Sequence, residues 1–348
     1  MVRFTVLASG SKGNSTVVTG GRTRILVDCG LSARELFRRM KLADEEPETL
    51  DAILITHEHS DHVRGVAVTA RKLGIPVYFT EATHQAWTRW IAPRKQMTYA
   101  QWLEKIHREA AERQAEAEAA TEEGEPDEID LAAAEDNQFP GAKAPTRSSE
   151  TGGAPLSLNQ AAKAREEDVE PQAPVKQKNP AWLPAVEHFQ AGEAFEIGDI
   201  RVSPFSTPHD AIDPCGFVFE TEGARLAFAT DLGYIPPNVK AQLQRLDLLL
   251  LESNHDLEML RDGPYPWPVK QRVLSRVGHL SNEAAAAFLR EGYDGHAAYV
   301  ILAHLSESNN LPELARVAAE HALSDWANFA ADRLLLANQH EPLSSIYF

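Results

Sequence analysis

Cysteine is scarce in this sequence, since only Cys29 and Cys215 occur among 348 residues. Two cysteines provide no disulfide framework, which excludes the class of small secreted proteins that disulfides hold together. The chain also lacks any run of 18 apolar residues, so we expect no membrane-spanning helix and no membrane partner. Its first residues form a strand-like pattern, without the apolar stretch and cleavage site of a signal peptide. These absences predict a cytoplasmic protein.

Lysine and arginine are also few relative to the acidic residues. The sequence has 34 lysines and arginines against 51 acidic residues, which gives a formal net charge of −17. Such a charge argues at first against a nucleic-acid partner. However, residues 104–180 alone hold 18 acidic and 9 basic side chains, so about half of the excess lies in one segment. The net charge therefore says little about the field elsewhere on the protein.

The acidic segment also has few aromatic and β-branched residues. Residues 103–180 are rich in Glu, Pro, Gly, Ser and Ala, and cannot bury enough apolar surface to order themselves. We predict one domain built from residues 1–102 and 181–348, interrupted by a mostly disordered insertion at 103–180. A spacer is the default interpretation of this insertion, and a docking segment for an unidentified protein is the alternative.

Outside the insertion, apolar runs separated by turn residues predict strands, and helical spacing predicts helices. The predicted strands cover 4–8, 16–19, 24–28, 52–56, 74–79, a hairpin at 195–202, 202–207, 215–220, 225–230, 246–252, 299–303, 334–337 and 344–348. The predicted helices cover 32–40, 63–73, 83–91, 104–120, 282–290 and 311–323. Strands in two blocks, each followed by helices, indicate an α/β protein with two sheets flanked by helices.

Four metal-binding side chains follow the buried strand that ends near Ile55. They are His57, His59, Asp61 and His62, and all four fall within six residues. Imidazole nitrogens and carboxylate oxygens are ligands of borderline-soft divalent metals. One catalytic ion does not need four donors from one segment, so the spacing suggests two adjacent ions. The alternative, a solvated polar loop, does not explain so dense a pattern.

The pattern His57-x-His59-x-Asp61-His62 resembles the signature of the metallo-β-lactamase superfamily. The resemblance implies a four-layer αββα sandwich. It also implies an early Asp, a His, a bridging Asp and a final His, for which strand-end candidates exist at Asp28, His209, Asp231 and His304.

These residues are assigned to two divalent ions, zinc or manganese. One ion would be held by His57, His59 and His209, and the other by Asp61, His62 and His304. Asp231 would bridge the ions, and Asp28 would hydrogen-bond a ligand histidine. Two ions about 3.5–4 Å apart hold a hydroxide for attack on phosphorus.

A second group of residues narrows the reaction. Glu252 ends a buried strand, and His279 lies in Gly278-His279-Leu280-Ser281, an order that resembles the tRNA-processing endonucleases of this superfamily. The resemblance implies that Glu252 orients His279, which either protonates the leaving oxygen or contacts the scissile phosphate. Asp61, Glu252 and His279 are therefore the predicted catalytic residues. In the alternative interpretation, the segment at Ser281 is only a helix N-cap. A role for His255 is left open.

The pieces as a whole resemble the YycJ/WalJ-like branch of the superfamily. The matching segments include 7–15, 57–62, 230–233, 252–256, 263–267 and 304–310. This resemblance implies a cytoplasmic dinuclear phosphodiesterase that acts on nucleic acid, as a 5′-to-3′ exonuclease on DNA. The alternatives are a thioesterase or cyclic phosphodiesterase with the same metals, and a non-enzymatic scaffold whose acidic segment binds a partner.

Substrate contacts are the least determined part of the sequence. The candidates for phosphate contacts are Ser11, Lys12, Asn14, Asn309, Lys270, Arg272 and Arg276, with ordinary loop and surface roles as the alternative. Tyr265 and Trp267 lie between prolines, where they either stack a terminal base or pack the loop. Cys29 adjoins Asp28, but a plain buried cysteine is the preferred interpretation.

Overall fold

The structure is a computed structural model, which describes residues 1–92, 108, 179–324, 326 and 331–348. Apart from Arg108, these residues belong to a compact unit formed by Met1–Pro93 and Lys178–Phe348. Nearly all of the acidic segment, with the helix predicted at 104–120, lies outside the described residues. The domain boundaries and the disorder of the insertion therefore stay predictions.

Two seven-stranded sheets form the centre of the described fold. The first contains β1 (Arg3–Ala8), β2 (Ser15–Gly20), β3 (Thr23–Val27), β4 (Ala52–Leu54), β5 (Val77–Thr80), β6 (Val186–Phe189) and β14 (Ile346–Tyr347). The second contains β7 (Phe195–Ile197), β8 (Ile200–Ser206), β9 (Cys215–Thr221), β10 (Ala224–Ala229), β11 (Leu248–Glu252), β12 (Tyr299–Ala303) and β13 (Leu334–Leu336). Their strand orders are β14-β1-β2-β3-β4-β5-β6 and β13-β12-β11-β10-β9-β8-β7.

The helices described in the structure cover the two outer faces of the sheets or connect strands. They are α1 (Ala33–Leu42), α2 (Ser60–Val63), α3 (Val66–Leu73), α4 (Glu81–Ile91), α5 (Pro237–Gln242), α6 (Leu257–Asp262), α7 (Trp267–Val273), α8 (Asn282–Glu291) and α9 (Pro312–Leu323). Short 3₁₀ turns lie at Pro47–Thr49 and Ala331–Arg333. Ser32 caps α1 by accepting a hydrogen bond from the backbone N–H of Glu35, as its position predicts.

Three apolar layers separate the four layers of secondary structure. The central layer joins the sheets, with Phe4 and Ile25 from the first and Phe217 and Leu250 from the second. A second layer packs α1, α3 and α4 on the first sheet, and a third packs α5, α8 and α9 on the second. Strands such as β11 are apolar up to their last residue, Glu252, because both faces are buried. The predicted αββα sandwich is confirmed.

The strands that carry the predicted site residues end at the same edges of the sheets. Strands β3 to β6 run parallel to one another, and so do β10 to β13, so their carboxyl ends lie side by side. Asp28, Asp231 and His304 each follow such a strand and adopt positive φ angles of 59°, 59° and 57°. Non-glycine residues rarely hold this conformation, and it concentrates at functional sites.

The predicted strands and helices of the described residues are present, with ends that differ by a few residues. The sequence did not predict β6, α2, α5, α6 and α7. Strand β6 lacks an apolar alternation because its central Glu187 and His188 are exposed at the sheet edge. The four helices are too short for a periodic apolar stripe. Among the described residues, no helix combines the length and apolar content needed to cross a bilayer.

Candidate metal centre

The first cluster is formed by His57, His59 and His209. His57 and His59 lie in the turn between β4 and α2, and His209 follows β8. His209 Nε2 lies 3.3 Å from His59 Nδ1, and the ring centroid of His57 lies 4.6 Å from that of His59 and 5.1 Å from that of His209. Burial, together with the neighbouring histidines, holds the pKa of His57 well below its usual value. His57 is therefore neutral, which is the form that binds a metal.

The second cluster contains Asp61, His62 and His304. Asp61 Oδ2 lies 3.4 Å from His62 Nε2 and 3.6 Å from His304 Nε2. Burial opposes protonation of His304, but the nearby carboxylates outweigh it and raise the pKa of His304 to about 10. Acidic groups that favour a proton on a buried imidazole equally favour a bound cation in its place.

Asp231 lies between the two clusters. Its Oδ1 lies 3.8 Å from His209 Nε2 in the first cluster, and its Oδ2 lies 3.5 Å from His62 Nε2 in the second. The carboxylate is buried at the end of β10. Burial raises its pKa, but His304, His62 and His209 outweigh this effect and lower it, so Asp231 is ionised. An ionised carboxylate in this position is suited to bridge two cations.

Asp28 contacts a histidine of the second cluster at the ring nitrogen that faces away from the cluster. Its Oδ2 lies 2.7 Å from Nδ1 of His62, and its Oδ1 accepts a hydrogen bond of 2.9 Å from the backbone N–H of Thr56. A hydrogen bond at Nδ1 fixes the ring and leaves Nε2 to face the cluster. This is the position that the sequence predicts for Asp28.

Replacement of Asp28 by alanine is expected to weaken metal binding about 10- to 100-fold, because His62 loses the partner that orients it. Competition with a chromophoric chelator measures this affinity. Asp51→Ala is the control, since Asp51 is exposed and its carboxylate bonds only a backbone N–H in the described residues. An unchanged metal affinity in Asp28→Ala would refute the orienting role.

Glu252 connects the second cluster to His279. Its Oε1 accepts hydrogen bonds from Nδ1 of His279 at 2.8 Å and from Nδ1 of His304 at 2.9 Å. Its Oε2 accepts the backbone N–H groups of Leu232 and Leu280. Although full burial opposes ionisation, His279 and His304 hold the pKa of Glu252 well below its ordinary value. The fixed carboxylate therefore orients two imidazoles at once.

Unpartnered polar atoms mark where cations would fit. Within the described residues, His57 Nε2, Asp231 Oδ2 and His304 Nε2 are buried without a hydrogen-bond partner. Buried polar atoms normally have partners, so unpartnered nitrogen and oxygen atoms within these clusters are suited to bind cations. Four overlapping groups of three or four His, Asp and Glu side chains have donor atoms within 4.8 Å of one another. The donor set fits divalent metal ions.

The family of the chain follows from comparison with known proteins. Residues 8–269 match the model of the family described as the metallo-beta-lactamase superfamily. The exodeoxyribonuclease YycJ of Bacillus anthracis is 30% identical over 324 residues, which cover 93% of this chain and 90% of that protein. The exodeoxyribonuclease WalJ of Streptococcus pneumoniae (strain D39) is 30% identical over 322 residues, which cover 92% of this chain and 88% of that protein.

The chain belongs to the metallo-β-lactamase superfamily, in its YycJ/WalJ-like branch. The crystal structure of the metallo-β-lactamase-fold protein YhfI from Bacillus subtilis aligns with a TM-score of 0.54 at 12% identity, covering 98% of both chains. At that identity the alignment shows the fold alone. The superfamily fold implies binding of divalent metal, and the chain is a metal-dependent hydrolase.

A cleft of about 380 Å³ opens over the metal centre of this superfamily member. The residues that line it include Ser11, His59, Asp231, Tyr265, Arg272 and His279. A larger cavity of about 1020 Å³ lies elsewhere, between α4 and β6, and is lined by carboxylates instead of the clustered ligands. The cleft is the place where a substrate reaches both the clusters and His279.

Of the predicted substrate contacts, some line the cleft and others bond elsewhere in the protein. Ser11 lines the cleft, while Lys12 forms an ion pair of 2.5 Å with Glu307 on the surface. Asn14 and Asn309 are buried and bond within the protein, and their role as substrate contacts stays a prediction. Both hold loops at the site, because amide side chains satisfy buried backbone and hydroxyl groups as readily as a substrate would.

Several contacts at the site have no local signal in the sequence. Asn14 Nδ2 donates to Asp61 Oδ2 at 3.3 Å, and the carbonyl of Gly278 accepts from His209 Nδ1 at 3.0 Å. Asp210 Oδ1 lies 3.5 Å from His209 Nε2. These partners are distant along the chain or have common residue types, so only the folded arrangement identifies them.

The structure also bears on the role of the two cysteines and on the helix-cap interpretation of Ser281. Cys29 and Cys215 are free and buried, and burial raises the pKa of each thiol to about 12. Both thiols therefore stay protonated and are unsuited to bind metal. Ser281 does cap α8 by accepting from the N–H of Ala284 at 3.1 Å, while His279 separately bonds Glu252. The capping and catalytic interpretations of this segment are thus compatible.

Proposed function

We propose that the protein is a cytoplasmic exodeoxyribonuclease that hydrolyses DNA from a strand end, 5′ to 3′, with two bound zinc or manganese ions. The observation that carries the proposal is the Glu252–His279 pair at the wall of the metal-site cleft. A thioesterase does not need a proton donor beside its metals, whereas a departing alkoxide of DNA does. The names of the two relatives with 30% identity support DNA as the substrate.

The proposed ligands are those named from the sequence. His57, His59 and His209 would hold one ion, Asp61, His62 and His304 would hold the other, and Asp231 would be shared between them. When bound, the ions would supply Lewis acidity that activates water and offsets negative charge on the phosphate. The carboxylates of Asp61 and Asp231 would keep the ions in place.

The protein's own groups account for the remaining steps. A water oxygen forms a bond to phosphorus and releases a proton to solvent, while one phosphorus–oxygen ester bond breaks. Solvent later restores the proton that His279 gives up. Nδ1 of His279 is fixed by Glu252, which leaves Nε2 to give its proton to the departing oxygen. The carboxylate of Glu252 stabilises the positive charge that His279 carries before this transfer.

The proposal is tested by incubating the purified protein with end-labelled single-stranded and duplex DNA, supplemented with Mn²⁺, Zn²⁺ or Mg²⁺. We expect progressive loss of nucleotides from the 5′ end and none after chelation. Strands whose 5′ or 3′ end is blocked separately establish polarity. Absence of DNA cleavage under every metal, together with turnover of a thioester or a cyclic dinucleotide, would replace this function by the small-molecule alternative.

A further inference from the structure

The segment from Gly263 to Gly278, which we call the arm, carries α7 across the mouth of the cleft. All residues of α7 are at least partly exposed in the described structure, and Trp267 has 64% of its surface exposed. A short helix is normally stabilised by packing an apolar face against the protein. The arm instead leaves Trp267, Val269 and Leu274 facing solvent. This surface lacks a partner within the described residues.

The arm is continuous with the catalytic site. Tyr265, Val269 and Arg272 line the same cleft as His279 and Asp231. At the end of the arm, the carbonyl of Gly278 accepts the hydrogen bond from the imidazole of His209. A Cβ at Gly278 would lie 2.1 Å from the carbonyl oxygen of Val273, so this end of the arm is closely packed. An occupant of the arm is therefore held at a fixed position relative to the clusters.

The charge of the arm differs from that of the chain. The chain has a net charge of −17, yet residues 263–278 contain Lys270, Arg272 and Arg276 and no acidic residue. Arg272 is exposed in the cleft and bonds both carboxylate oxygens of Asp210. Arg276 lies over the ring of Tyr234, 4.3 Å from its centroid. A basic surface beside a hydrolytic site favours a polyanion over a neutral or basic partner.

The aromatic side chains of the arm are held in place by prolines. Tyr265 and Trp267 alternate with Pro264, Pro266 and Pro268. Because proline fixes φ, the backbone that carries the two rings loses little conformational entropy when a flat ligand covers them. Nucleobases stack on such rings without regard to sequence, since every base has a π face. Inside a duplex those faces are covered by neighbouring pairs, whereas bases of an unpaired end expose them.

We propose that the arm binds the unpaired end of a DNA strand, with bases stacked on Tyr265 and Trp267 and a phosphate held by Arg272. This inference rests on the proposed nuclease function, which it deepens by naming the form of DNA that the site accepts. In the complex, Arg272 transfers one of its bonds from Asp210 to the phosphate. The arm thus selects strand ends by their exposed bases.

The test compares two single-stranded oligonucleotides that are identical except at their ends. One carries ordinary terminal nucleotides, and the other has abasic residues at the last two positions of each end. Both strands carry phosphorothioate linkages that slow cleavage. Fluorescence anisotropy with the metal-loaded protein gives both dissociation constants. We expect the ordinary strand to bind about tenfold more tightly, which corresponds to the stacking of one or two bases.

Three variants locate this preference. Trp267→Ala is expected to bring the ratio of the two constants close to one, and Trp267→Phe, which keeps a ring, is expected to retain most of it. Trp182→Ala is the matched control, because Trp182 is also exposed, at 56%, and lies outside the arm. Circular dichroism checks that each variant is folded. We expect all of them to fold, because both tryptophan side chains are exposed.

The outcomes separate this proposal from the proposed function. A wild-type protein that binds both strands equally, or a preference that survives in Trp267→Ala, overturns the role of the arm even if DNA is cleaved. A preference lost in Trp267→Ala without any DNA cleavage supports the arm and overturns the nuclease. Absence of both binding and cleavage overturns both, and leaves the arm as a surface for another kind of partner, such as a protein.

Discussion

Asp231→Asn is expected to reduce hydrolysis of DNA by about 10³-fold or more. The carboxylate lies between both clusters, within 3.8 Å of His209 and 3.5 Å of His62. An amide keeps the shape but removes the negative charge, so neither ion retains its shared ligand. Loss of several kcal/mol of charge stabilisation corresponds to a rate effect of this size. Initial rates on end-labelled DNA and metal content by mass spectrometry measure both consequences.

The control for this variant is Asp213→Asn. Asp213 lines the larger cavity, away from the cleft, so its amide should leave rate and metal content unchanged. Circular dichroism excludes unfolding of Asp231→Asn, which matters because the buried carboxylate is surrounded by imidazoles. A folded Asp231→Asn protein that keeps two ions and near wild-type rates would show that the bridging assignment is wrong.

The sequence predicts most of this fold because its apolar runs coincide with its strands. Residues 248–251 and Tyr299–Ala303 lie in strands with two buried faces, so each run is apolar without interruption and easy to recognise. The site is also largely predictable, because His57, His59, Asp61 and His62 are adjacent in sequence. The distant candidates become identifiable only through the resemblance, which indicates which strand ends to examine. The structure then brings Asp28, His209, Asp231 and His304 to the same place.

The rest of the site depends on strand register, which local sequence does not encode. Glu252 pairs with Ala303 across β11 and β12, so His304 follows directly and reaches the carboxylate of Glu252. The sequence predicts Glu252 as the partner of His279 alone. Asn14 bonds the carbonyl of Gly10 and the carboxylate of Asp61, contacts that its local sequence does not reveal. An amide in a glycine-rich loop has the same local signature whether it faces a ligand or a buried backbone group.

The arm illustrates a different limit of sequence interpretation. Helix predictions rely on an apolar stripe that faces a core, and α7 has none because its residues are exposed. Its helical structure begins after Pro266, where proline is compatible with a first turn. An element that is shaped for a ligand instead of a core lacks the periodicity by which helices are recognised. A helix such as α7 is therefore identified only in the folded structure.

His279→Ala is expected to lower the kcat for DNA by about 10²- to 10⁴-fold, with metal content unchanged. The imidazole lines the cleft and bonds Glu252, but it lies outside the proposed ligand set, so its removal takes away a proton donor and no metal ligand. The size of the loss should depend on the leaving group. A thymidine 5′-p-nitrophenyl phosphate releases a stable phenolate, which needs little protonation, so its hydrolysis should fall far less than that of DNA.

This dependence on the leaving group distinguishes proton donation from a structural role. His321→Ala serves as the control, because His321 is exposed on α9, outside the cleft. If His279→Ala slowed both substrates equally, His279 would act by positioning the phosphate or by supporting Glu252. If the His279→Ala variant lost metal, we would conclude that Glu252 needs His279 in order to hold His304 in place. Only a selective loss on the poorer leaving group assigns to His279 the proton that completes cleavage of the DNA strand.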